Sequence, residues 1–534
     1  MIRKIMLIIL VLILVLLLAF SFSGCNLEQS PDGQLRVSSL GSPITLNPLY
    51  VRDSFSAEVV SFLFESLLKS NKETLEMEPA LVYDWEIKEE GRTYLLNFRE
   101  GLQWSDGEPL TAQDAAFTLR VMCHPDFTGH QYSLYFHPIV GAVEYHLEHD
   151  SSLADGDIQG IEVIDEDTLK ITLEQALAPF LSYLEFQPLP EHILGEVPVA
   201  EIEGHQFSRW PEVTSGPYLL EEWEVDEYLK MTSNQDFYMG APNIEEIYYR
   251  IIPNQEAQLI ELINGNLELI PTAVKLEDVE DLEENPEVEI YSNLRLVYDY
   301  LGFNMKREDT PLQEREVRRA LSMILDREAL VEDVLLGYGE VLHGPLVPLQ
   351  FPYDPEFESF SPDLGRAEEI LEETGYEDGF ELKLIVNAGN QVRENAALMF
   401  KEAASQVGVE VNIQVLEWQA FLEASQQGNY DLIISGQGTG VDPDLTFNWH
   451  SQSPLNELGY ANPRVDELIE EALVTMEEEE RAEIYRQAQE VIVADAPMIW
   501  LYTREAVHAA SSRLDNFTPH PENAFYKIYQ WEIE

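Results

Sequence analysis

Reactive side chains are plentiful in this chain, but few stand at the spacings that reactions need. Ser66-Leu67-Leu68-Lys69 has the serine-x-x-lysine spacing in which an amine could take the proton of a nucleophilic hydroxyl. That arrangement needs partner motifs, and no Ser-Asp-Asn or Lys-Thr-Gly occurs. The tetrapeptide falls at the end of an apolar stretch read as an amphipathic helix, Ala57 to Lys69, where such matches arise by chance. Gly-x-Ser-x-Gly, His-Glu-x-x-His and a phosphate-binding loop are all missing. With 98 acidic side chains, some carboxylate pair will always sit at a catalytic-looking spacing, so carboxylates alone carry no argument. No enzymatic activity is expected. Histidines gather at His124, His130, His137, His146 and His149, but their spacing fits no compact metal motif. A flexible surface loop carrying imidazoles is the expectation there, with no metal and no cofactor. His450 is expected to be buried and hydrogen-bonded.

Cys25 stands in a more telling setting. Arg3 and Lys4 are the only charges before it, and an apolar run from Ile5 to Phe20 follows them. At roughly 16 residues the run is short of the roughly 20 that a spanning helix needs, and it has the layout of an export signal. Ser21-Phe22-Ser23-Gly24-Cys25 then places small residues before a cysteine, which resembles the lipobox cleaved after a diacylglyceryl group joins the thiol. The expectation is a signal peptide over residues 1–24, lipidation at Cys25, and a polar tether over 25–34. The protein would then be exported and held by lipid at a cell membrane, facing away from the cytoplasm.

Composition narrows the partners. The chain of 534 residues carries 98 acidic against 32 basic side chains, a formal net charge of −66. Binding nucleic acid needs a basic groove, and no Lys/Arg cluster survives its acidic surroundings, so nucleic acid is excluded. The acids are spread along the chain, as in Glu277 to Glu289, and 45% hydrophobic content implies an ordinary core beneath a solvated acidic surface. Such a length exceeds one core and predicts two or three lobes. Cys123 is the only other cysteine, read as a lone buried thiol.

The elements that must position any site change character along the chain. Up to about residue 292 short strands dominate, such as Leu35 to Leu40, Thr93 to Phe98 and Tyr228 to Thr232, with one helix over Thr111 to Met122 opened by a Thr111/Asp114 capping box. From Leu296 strands and helices alternate, the texture of an α/β lobe. Val317, Ala320, Leu321, Ile324 and Leu325 mark a half-buried helix, and Val409, Val411, Ile413 and Val415 alternate as a strand. Further helices are read over Arg393 to Val407, Trp418 to Gln427, Pro463 to Met476 and Glu480 to Asp495, with strands at Tyr430 to Ser435 and Met498 to Tyr502.

Several strings together resemble one family. Glu78-Pro79-Ala80-Leu81, then Gly101-Leu102-Gln103-Trp104-Ser105-Asp106-Gly107, Thr214-Ser215-Gly216-Pro217-Tyr218, Leu301-Gly302-Phe303-Asn304, Val317-Arg318-Arg319-Ala320-Leu321 and Asp442-Pro443-Asp444 recur in the order found in the peptide/nickel-type solute-binding proteins of ABC importers. The resemblance covers about residues 35 to 530. It implies a two-lobed α/β clamshell of the periplasmic-binding type II class, large peptide-binding branch, with an extra subdomain in the first lobe. On that map lobe I is 35–292 plus 504–534, with the subdomain about 78–205, and lobe II is 296–500. The crossings fall near 294–300 and 500–503. The protein would be a monomer that encloses an oligopeptide or other small solute and delivers it to permease subunits. An oligosaccharide or metal chelate in the same cleft, and a peptide-sensing role, stay open as alternatives.

The resemblance also nominates a site. Its members hold peptides largely through backbone contacts, and the matching segment is Ser435 to Pro443, with Gly436, Gln437, Gly438, Thr439 and Asp442 as candidates. Thr439 stands where relatives often have an aspartate for the ligand's α-amino group, so that charged contact is absent from its usual place. Trp418 matches a tryptophan that lines the cleft in relatives, and Trp104 is a further candidate whose neighbours favour a structural role.

Overall fold

The computed structural model describes residues 33–534 except 130, 272 and 273, so the expected signal peptide, Cys25 and His130 lie outside the described residues. One mixed sheet of eleven strands runs through the molecule. From edge to edge its order is Val409–Leu416, Phe380–Asn387, Leu432–Gly438, Val288–Phe303, Met498–Ser511, Leu269–Ile270, Gln34–Ser39, Glu246–Ile251, Tyr228–Ser233 and Tyr218–Glu224. The short strand Gly339–Val341 pairs separately with Met498–Ser511. A second sheet of four strands, Val82–Lys88, Thr93–Phe98, Thr168–Thr172 and Ile161–Asp165, stands apart in the first half of the chain.

The result is a two-lobed α/β clamshell. Its first core joins Leu35, Val37 and Tyr249 to Phe517, Phe525 and Trp531 from the other end of the chain. In the second half, the same strands feed two cores on opposite faces of the sheet. Leu384, Leu432, Ile434, Leu301 and Leu501 point to one face, while Ile385, Ile433, Tyr300 and Trp500 point to the other. That alternation explains why these strands read as unbroken apolar runs: both faces are covered by helices. Gln391–Gln406 and Trp418–Gln426 make the crossovers between parallel strands.

Two long antiparallel strands, Val288–Phe303 and Met498–Ser511, pass from one lobe to the other. Their register slips between Leu294 and Tyr298, and the Thr503 hydroxyl donates into the gap, to the carbonyls of Arg295 at 3.2 Å and Val297 at 2.9 Å. A bulge of this kind bends the sheet locally.

Some local expectations need correction. The helix Ser54–Leu63 ends at Phe64, and Leu68–Ser70 is a strand paired with Met77–Pro79, so Ser66 and Lys69 do not share a helix. Phe62, Leu63, Phe64, Leu67 and Leu68 are all buried, and a fully buried apolar run carries no period to tell helix from strand. Lys69 is instead held by the Glu65 carboxylate at 2.6 Å. Three of the clustered histidines, His124, His146 and His149, are held by backbone contacts and do not stand free on a surface loop. His124 is fully buried with Nε2 on the Ser151 carbonyl at 3.0 Å, and burial lowers its proton affinity. His146 meets the Cys123 carbonyl at 3.1 Å and stacks on Tyr132, and His149 meets the Leu153 carbonyl at 3.0 Å. Among the described residues no group of histidine, cysteine or carboxylate side chains is arranged to hold a metal ion. His450 is only partly covered and reaches Glu470 at 3.3 Å. Cys123 is buried, and the Thr111/Asp114 capping box opens the helix Ala112–Cys123.

Candidate functional site

A cavity of about 510 Å³ lies between the lobes, within the usual size range of small-ligand sites. One wall is the end of the strand Leu432–Gly438 and the loop after it, through Leu445. The other comes from the first lobe: the turn around Tyr135, the segment Ser182 to Phe186, and Glu522.

The strand wall is open on one side. Along Ile434 to Gly438 it pairs only with Val288–Phe303, because its other neighbour, Phe380–Asn387, reaches no further than Leu432 and Ile433. Past the strand, Thr439 donates its backbone N–H to the Leu296 carbonyl at 2.8 Å. Gln350 then donates to the Gly440 carbonyl at 2.8 Å.

Asp442 fixes the loop from below. Arg481 donates to both of its carboxylate oxygens, at 2.6 and 2.5 Å, and also to the Tyr485 hydroxyl at 2.9 Å. Burial raises the Asp442 carboxyl, and Arg481 opposes that by holding its charged form. A bidentate pair taken out of water fixes geometry more than it adds stability. Two residues on, Asp444 caps the backbone N–H of Thr446 at 2.8 Å and accepts the Tyr183 hydroxyl at 2.9 Å, a hydrogen bond that crosses the cleft. Tyr135 adds aromatic contacts to Tyr183 in its own lobe, centroids 4.6 Å apart, and to Phe447 across the cleft, 6.0 Å apart.

Residues 76–457 match the sequence profile of the bacterial extracellular solute-binding proteins, family 5 Middle. The chain belongs to that family. Among its relatives, the oligopeptide-binding protein AppA of Bacillus subtilis is 29% identical over 522 residues, covering 93% of this chain and 91% of its own. The structure of that AppA in complex with a nonapeptide matches 95% of this chain and 100% of its own at 27% identity, with a TM-score of 0.77. The ABC transporter substrate-binding protein CtaP of Listeria monocytogenes shares the fold at a TM-score of 0.83, with 24% identity over 94% of this chain and 100% of its own.

In this family 5 protein the candidates read from sequence separate into two groups. Gln437, Gly438, Thr439 and Asp442 line the cavity. Gly436 does not: a side chain there would run into the Arg393 guanidinium and Asp299, so the glycine makes room for an ion pair. Trp104 is buried in the first core, away from the cavity. Trp418 is about half exposed, stacks on Phe421 at the start of its helix and does not line the cavity. Sequence reading missed Tyr135, Tyr183, Glu185, Gln350 and Glu522. No local motif marks them, because they come from segments far apart in the chain.

Proposed function

We propose that this protein captures a short oligopeptide between its lobes and hands it to the permease of an ABC importer. The end of the open strand edge at Gln437 and Gly438, lining a cavity shared by both lobes, is the observation that carries this reading. An extended peptide can add its backbone to such an edge while its side chains enter tolerant aromatic surroundings. The oligopeptide-binding relative of similar length supports the same ligand class. The lobes hinge, on this reading, at the register slip between Leu294 and Tyr298 and beside Thr503, close to the crossings expected from sequence. Lipid on Cys25 keeps the binder beside its permease, and Cys25→Ser should abolish labelling by radiolabelled palmitate.

Native mass spectrometry of the full chain purified in detergent tests the ligand. A heterogeneous set of copurifying peptides, displaced by added synthetic pentapeptides, is the expected result. A bound sugar or metal chelate, with no displacement by peptides, would overturn it.

A further inference from the structure

The charge on the cavity wall is one-sided. Four carboxylates line it, Glu185, Asp442, Asp444 and Glu522, and among the described lining residues there is no lysine, arginine or histidine. Two of the four are already satisfied: Asp442 by the bidentate Arg481, and Asp444 by Tyr183 and the Thr446 backbone. The other two are not balanced by a bonded cation. Among the described residues Glu185 accepts only from neutral donors, the Ser70 backbone N–H at 3.0 Å and hydroxyl at 3.2 Å. Glu522 is exposed and lines the cavity. Among the described residues its only hydrogen bond runs from its own backbone N–H to His520 Nδ1, at 3.1 Å.

Both side chains face a space lined by Tyr135, Tyr183 and Phe447. Aromatic faces attract cations and are indifferent or hostile to anions. A ligand ammonium or guanidinium placed here would gain charge-assisted hydrogen bonds and relieve the repulsion between Glu185 and Glu522. A ligand carboxylate would add to that repulsion, with no fixed cation at the wall to offset it.

We propose that the cleft selects ligands bringing positive charge to its first-lobe wall, with Glu522 and Glu185 as the specificity-determining residues. This rests on the peptide-capture reading and names the class of peptide: basic. Burial raises both carboxyls, to about 7 for Glu185 and about 8 for Glu522, where Glu185 adds to the rise; Lys69 and Arg295 oppose it without bonding to either group.

The test is calorimetric titration of the full chain in detergent with three pentapeptides, acetylated and amidated, that differ only in a central lysine, alanine or glutamate, and with spermidine. Lysine should bind at least about tenfold tighter than alanine and glutamate weakest, one good charge-assisted contact being worth about that factor. E522Q should cut the lysine preference over alanine about tenfold. E185Q should act in the same direction, with thermal melts confirming that both variants fold. Equal affinity for all three peptides would overturn the charge selection and leave peptide capture standing. Binding of spermidine without any peptide would overturn peptide capture and leave the charge selection standing. Binding of neither would overturn both.

Discussion

Three carboxyl groups keep their protons to unusually high pH: Glu58 and Glu185 to about 7 and Glu522 to about 8. Burial is the leading cause for each. Around Glu58 it is opposed by the Tyr249 hydroxyl, donated at 2.5 Å, and by Arg295, and reinforced by Asp53. Around Glu185 it is opposed by Ser70 and Lys69, and around Glu522 it is reinforced by Glu185 and opposed by Arg295. A carboxyl whose pKa is raised on folding contributes stability that is full below its unfolded value, about 4.3, and is lost as pH climbs through the folded value. The ligand-free protein should therefore melt lower at pH 8.5 than at pH 5.5. General repulsion among the acids has the same sign, so the discriminating variant is E58Q, which removes one such carboxyl away from the cavity lining. Its melting temperature should vary less with pH than that of the parent. An equal or steeper slope in E58Q would assign the whole effect to surface charge.

At the scale of elements, the strand Leu432–Gly438 does two jobs with similar-looking residues. Its first half is core, and its second half is cleft. Gly436 carries the Arg393–Asp299 pair, closed at 2.7 Å and braced by the Tyr502 hydroxyl on Asp299 at 2.8 Å. Gly438 faces open space, with nothing near where a side chain would begin. Gly436→Ala should then cost about 1–3 kcal/mol by overpacking, read by urea denaturation, whereas Gly438→Ala should leave stability unchanged and weaken ligand binding. Equal destabilisation by both would contradict this division. The same strand shows what a sequence makes legible. Caps and periodic faces are local, so the Thr111 box and the alternation from Val409 could be read directly. A glycine's reason is tertiary: from sequence Gly436 and Gly438 look alike, and only the packing of a helix residue, Arg393, separates them. The segment Ser435 to Pro443 could be nominated because its motif is contiguous. Tyr135, Tyr183, Glu185 and Glu522 come from distant segments with no shared period, and among 98 acids two more carry no signal.

For the whole molecule, closure and charge meet. The Tyr183–Asp444 hydrogen bond and the Tyr135–Phe447 contact both cross the cleft, so they exist only when the lobes are together. A hydrogen bond to a charged acceptor is worth about 1.5–3 kcal/mol. Tyr183→Phe should therefore speed ligand release about tenfold in stopped-flow measurements while leaving the melting temperature of the ligand-free protein unchanged. Against closure stands a formal net charge of −66. The ion pairs that soften it are mostly exposed, such as Arg464–Glu467 and Arg366–Glu369, and exposed pairs contribute at most about 1 kcal/mol each. The stronger pairs, Arg481–Asp442 and Arg393–Asp299, are buried and little affected by salt. Salt shortens the screening length from about 10 Å at 0.1 M to about 3 Å at 1 M, so it relieves long-range repulsion among the acids more than it weakens the few attractions. The melting temperature should rise by several degrees between 0.05 and 1 M sodium chloride. The rise should be largest at pH 8, where the most carboxylates are ionised, and should shrink near pH 5. A melting temperature that is flat or falls with salt at pH 8 would mean that the acidic surface is already balanced by its local ion pairs.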